Sequence, residues 1–181
     1  MSTDHDVFVA LKRRADAGEL KTDEPLLKGD TSPLDVQTLA AVEATLGRPL
    51  PSLLFRIYSE IQNGGFGDSY GFLGLVGGPT NEFNLDAIGL WKACCEPNPN
   101  DDFWDWPKHL LPIGHLGCGM YHCIDCSTQA GAIVLFEPNP HEDEEPWDDA
   151  FFAVCPSLAD YLDTWLRGEN IWEVFPPQPI A

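Results

Sequence analysis

"LGRPLPSLLFRIYSEIQNGG", residues 46–65, is the stretch on which the fold turns. Pro51 suits the first turn of a helix, where its missing N–H needs no partner. Leu53, Leu54, Ile57, Tyr58 and Ile61 follow at helical spacing and form an apolar stripe wide enough to pack on a sheet. Asn63 and Gly64 supply the left-handed geometry that ends such a helix, and Gly65 and Gly67 prolong the loop after it. No nucleophile or base stands between these signals, so the segment encodes architecture rather than chemistry.

Working outward toward the N-terminus, residues 4–17 read as a helix with Val7, Phe8 and Leu11 on one side and Gly18 as its stop. Its Lys12-Arg13-Arg14 is the largest basic cluster in the chain. Residues 19–30 have no apolar period and read as a linker, which divides the chain into a helix and linker (1–30) and a single domain (31–181). In "TSPLDVQTLAAVEATLG", Thr31 or Ser32 is expected as the N-cap and Pro33 near the first helical position. Leu39, Val42 and Leu46 then repeat at helical spacing, and Gly47 can close the helix.

Downstream the period shifts toward strands and turns. "GFLGLV" (71–76) reads as a short strand and "NLDAIGLWKACC" (84–95) as a helix. Three strands are expected near 110–113, 120–125 and 132–137, the last two joined as a hairpin by "STQAG" (127–131). "AFFAVC" reads as another strand. Ser157 then caps a closing helix, "SLADYLDTWLRG", with Leu158, Tyr161, Leu162, Trp165 and Leu166 on one face. Helices, then hairpins, then a closing helix predict an α+β fold: a mainly antiparallel sheet with N-terminal helices and a C-terminal helix packed on it.

Ten basic residues against 29 acidic ones give a net charge of −19 over 181 residues, while hydrophobic content of 44% argues against disorder. Such a surface repels nucleic acid and anionic membranes and attracts basic partners. Between Ala93 and Leu166 stand fourteen acids and a single base, Lys108. No apolar run approaches the roughly 20 residues that span a bilayer. The first residues lack a signal peptide's order of features, so the cytosol is the expected compartment and the six cysteines are expected as thiols.

"HLGCGMYHCIDC" gathers His115, Cys118, His122, Cys123 and Cys126, and Cys123-x-x-Cys126 has a zinc-knuckle spacing. Structural zinc sites draw on a second, separated ligand pair, which is missing here. On a strand through 120–126, Cys123 and Cys126 would also point to opposite faces. Core packing is the simpler reading, as it is for Cys94-Cys95, and no cofactor or metal is expected. A thioredoxin-like use of Cys123 would need a helix N-terminus, where a turn follows instead. Nucleophile-elbow, P-loop and zinc-protease motifs are absent, and no base between Arg56 and Lys92 supports a phosphate cradle in "NGGFGDSYGFLG". Nothing argues for an enzyme.

The order "LGRPLPSLLFRIYSEIQNGG", then "LLPIGHLGCGMYHCID", then Gly131 before "AIVLFEP", then "SLADYLDTWLRG" resembles the SUKH superfamily. That family includes a fungal cell-wall-synthesis regulator and many bacterial immunity proteins. The resemblance covers roughly residues 33–168 and rests on the order and spacing of short motifs. It implies a non-catalytic protein that binds another protein, with the loops between the core motifs choosing the partner.

Two loops depart from that pattern in being acidic and aromatic. "NDDFWDW" interleaves Asp101, Asp102 and Asp105 with Phe103, Trp104 and Trp106. "HEDEEPWDD" joins Glu142, Asp143, Glu144, Glu145, Asp148 and Asp149 to Trp147. Each aromatic either turns inward to the core or serves as an interface anchor ringed by charge. Taken as partner-binding residues, these thirteen would steer a basic partner. The expectation is an immunity protein that occludes the active site of a basic toxin domain, such as a nuclease or nucleic-acid deaminase. The alternative is a regulatory adaptor that recruits a cellular enzyme.

Overall fold

The computed structural model describes residues 2–22, 28–142 and 144–180. Three helices come first: α1 (Asp4–Asp16), α2 (Val36–Leu46) and α3 (Ser52–Glu60). A two-residue strand β1 (Gly71–Phe72) and helix α4 (Ala87–Cys95) precede β2 (Leu110–Gly117), β3 (Met120–Asp125) and β4 (Ile133–Phe136). The chain closes with β5 (Phe151–Cys155), α5 (Leu158–Leu166), a single helical turn α6 (Ile171–Val174) and β6 (Gln178–Pro179). All strand pairs are antiparallel, and the sheet order β1-β2-β3-β4-β5-β6 follows the chain order. The α+β architecture with a closing helix is therefore the one the patterning predicts.

The segment 46–65 is locked at both ends. Pro51 has no N–H to cap. Ser52, behind it, donates its own to Gln129 Oε1 at 3.1 Å, in the turn between β3 and β4. Gly131 sits against the Pro51 ring with φ +59°, and a Cβ there would come within 3.0 Å of Pro51 and closer still to Ile124. At the other end Tyr58 donates to the Leu73 carbonyl at 2.7 Å. Gly64, at φ +75°, lets the backbone approach Leu73 to a distance that any Cβ would violate. The Leu-Pro and Asn-Gly-Gly signals thus mark where α3 docks on the β3–β4 turn and on the chain beyond β1.

Three readings are corrected by these contacts. Asn63 is not the left-handed residue. It is buried, accepts from Leu75 N–H at 2.9 Å and donates to the Val76 carbonyl at 3.1 Å. The left-handed geometry falls to Gly64 and Gly65. α2 begins after Asp35, which accepts from Thr38 N–H, because Ser32 is already engaged by Asp30 in a local turn. "GFLGLV" pairs as a strand over only two residues, since Gly74 and Leu75 turn away to bond Pro79 and Asn63.

Alternation along β3 sends His122 and Tyr121 to opposite sides of the sheet. His122 meets Tyr161 of α5, on the side where α1 and α3 also pack. Arg14 of α1 donates to the Leu166 carbonyl at the C-terminus of α5, where helix carbonyls are unpaired, and lies over Trp165. Lys12-Arg13-Arg14 is thus partly built into the fold, and Val7, Phe8 and Leu11 enter the common core. Tyr121 shares the other side with Phe136, α4 and the two acidic loops. Among the described residues, no helix is long and apolar enough to cross a membrane.

Candidate partner-binding surface

The acidic loops leave the sheet at different points, yet they fold onto one another. Asp101 is the joint. Its Oδ1 accepts from Phe103 N–H at 3.0 Å, an Asx-type turn within the first loop, while Oδ2 accepts from Trp147 Nε1 in the second at 2.7 Å. Trp104 stands edge-on to Trp147, with centroids 4.9 Å apart. His141 stacks on Trp147 at 3.8 Å and is held by Asp149 at 2.9 Å.

The tryptophans turn inward, and each indole N–H finds an acceptor. Trp104 donates to the Cys94 carbonyl of α4 at 2.8 Å, and Trp106 to the Leu110 carbonyl at 2.9 Å. Trp106, 3% exposed, also packs on Phe136 and Phe151 of the sheet. Trp106 is thus buried beneath the loops, and Trp104 and Trp147, half-buried, form the floor on which the loops rest. Phe103, 46% exposed, is the most exposed aromatic among the described residues of the two loops.

The carboxylates divide accordingly. Asp101 joins the two loops and Asp149 braces the second through His141, whereas Asp102, Asp105, Glu142, Glu144, Glu145 and Asp148 are exposed. Asp143 lies outside the described residues. Between the loops runs an open cleft of about 690 Å³, lined by Pro99, Asn100, Asp101, Asp102, Phe103 and Glu144. Its chemistry is that of a cation-attracting concavity with one aromatic wall.

The cysteine and histidine group takes another course. Cys123 and Cys126 are both buried, and burial pushes Cys126 up to about 12 and Cys123 well above its ordinary range. Burial likewise raises Cys94 to about 12 and Cys155 to about 11. These thiols stay protonated at neutral pH and lack the thiolate that nucleophilic or redox chemistry uses. Among the described residues, no three His, Cys, Asp or Glu side chains gather in a way that could hold a metal ion. His115 is instead paired with Glu82 at 2.8 Å and packed between Tyr70 and Tyr121. Burial lowers its pKa against the opposing pull of Glu82.

Sequence reasoning could place the acids in two loops but not bring those loops together. The Trp147–Asp101 bond joins residues 46 positions apart, and the His141–Asp149 pair has no periodic signature. The fold itself has a named counterpart: the SMI1 / KNR4 family (SUKH-1) model matches residues 33–164. The chain belongs to the SMI1 / KNR4 family. Membership is compatible with toxin immunity, and it points to a protein as the partner. No curated protein matches the sequence. The matched span leaves out α1, α6 and β6, and both flanking helices pack on α5.

Proposed function

We propose that this protein is an immunity factor that binds and neutralises a basic toxin domain through the surface built from its two acidic loops. The observation that carries the reading is the Trp147–Asp101 joint. It merges two acidic segments into one preformed concavity, with Phe103 exposed at its wall. A net charge of −19 complements a toxin whose active cleft holds phosphates, such as a nuclease or a nucleic-acid deaminase. Covering that cleft excludes substrate without any chemistry by the inhibitor. The loops are held by their own tryptophan floor, so little ordering entropy is lost on association.

The test is a pull-down from the source organism, followed by measured affinity for a basic partner encoded beside this gene. The variant is Asp102→Asn, Asp105→Asn, Glu142→Gln, Glu144→Gln and Glu145→Gln, leaving Asp101 and Asp149 to hold the loops. It should bind more than about tenfold more weakly at low salt, with a flatter salt dependence. It should also fail to protect cells expressing the toxin. Unchanged affinity would remove the acidic loops from the interface. Recovery of a housekeeping enzyme in place of a toxin would make the protein a regulatory adaptor.

A further inference from the structure

The C-terminal strap, residues 169–180, covers a histidine that is poorly placed to accept a proton. His122 is 0% exposed. Its Nδ1 is bonded to Tyr161 Oη at 2.9 Å, and its Nε2 has no partner. Across the sheet His122 lies in a row with Gly114 of β2, Leu135 of β4, Phe152 of β5 and Pro179 of β6. Above it Trp172 of α6 lays its indole against the imidazole, with centroids 5.5 Å apart. Trp172 is itself 37% exposed, so one side chain separates the imidazole from solvent.

The strap is otherwise lightly held. Ile171 is its buried anchor, α6 is one turn long, and β6 contributes two exposed residues to the sheet edge. The last bond is Ile180 N–H to the Phe151 carbonyl at 3.3 Å. We propose that the strap is an acid-released latch: protonation of His122 lifts α6 and β6 from the sheet and frees the edge of β5. A protonated imidazole carries two N–H donors, and the closed site offers no acceptor for the one on Nε2. Lifting Trp172 gives that donor water.

The groups around His122 leave it without a compensating charge. α5 presents Tyr161, α6 presents Trp172, and β2 and β4 present Gly114 and Leu135. Burial first and then Asp68 push the Tyr161 phenol up, while burial alone lowers His122. In the closed form burial pushes His122 down to about 3, against an ordinary value of 6.5 that an opened strap restores. The open form therefore takes up the proton as pH falls below about 6.5 and the closed form only near 3, so acid favours opening. Between pH 7.5 and 5.0 the equilibrium shifts by about thirty-fold.

Hydrogen exchange of the full-length protein at those two pH values, corrected for intrinsic rates, tests the latch. Protection of amides in 171–180 should fall by about thirty-fold at pH 5.0, while that of 121–136 holds. In His122→Phe/Tyr161→Phe, which removes both polar partners together, the response should vanish although His5, His109, His115 and His141 remain. Trp172→Ala, which uncovers the imidazole without touching it, should leave the strap weakly protected at both pH values. A strap unprotected at pH 7.5, equal protection at both, loss of 121–136 in parallel, or a response that survives in either variant overturns the proposal.

Discussion

Asn63 braces the fold at the end of its motif. Its carboxamide faces two backbone groups of the loop beyond β1, and Gly78 packs on its nitrogen so closely that a Cβ there would stand 2.5 Å away. Asn63→Ala strands the buried Leu75 N–H and leaves the exposed Val76 carbonyl to water, which should lower stability by about 1–3 kcal/mol. Urea unfolding followed by tryptophan fluorescence checks it, with the midpoint falling at constant slope. The sequence announced a helix stop at this point, and Gly64 supplies one. The bracing role was hidden because the partners of Asn63 lie 12 and 13 residues downstream, in a loop with no periodicity. Alternation on β3 likewise assigns His122 to a face without revealing that Nε2 would go unpaired.

At the scale of elements, the apolar pattern locates α1, α3 and α5, which each bury one continuous face, and the strands β2 to β5, whose central members are apolar runs buried on both faces. The start of α2 was misplaced for a local reason: Ser32 had a nearer partner in Asp30. α6 and β6 escape the pattern, α6 because four residues are too few to show a helical period and β6 because Pro176, Pro177 and Pro179 give no strand signal, although an edge strand tolerates proline. The two acidic loops behave as one element, since their joint is a charge-assisted hydrogen bond. Trp147→Phe keeps the ring against Trp104 and His141 but deletes the N–H that Asp101 accepts. It should cost about 1–2 kcal/mol in a calorimetric scan and raise exchange in both 98–105 and 141–149. Faster exchange in one loop alone would mean the loops are independent.

For the whole molecule, charge is the dominant fact. The ion pairs that are present, such as Lys12–Asp16 and Arg56–Glu60, are exposed and contribute little against a net −19. Repulsion among carboxylates should therefore outweigh local attraction, and raising sodium chloride from about 10 mM to about 150 mM should raise Tm by screening it. A flat or falling Tm would place the balance with the ion pairs. The charge is also unevenly laid out, with the Lys12-Arg13-Arg14 cluster on the α5 side of the sheet and the acidic loops on the other. Composition revealed the amount of charge, whereas only the folded chain reveals that two separate runs converge on one side.

The strict order of the sheet has a consequence for how the protein is made. Each strand pairs with the strand synthesised just before it, so the sheet can grow as the nascent chain leaves the ribosome. α1 cannot follow that schedule. It docks on α5, with Ser2, just ahead of the helix, reaching Asp163 and Arg14 reaching Leu166 across separations of 161 and 152 residues. The face that α1 shares with α3 can form early, whereas its bond to Leu166, 152 residues further on, waits until α5 has been made.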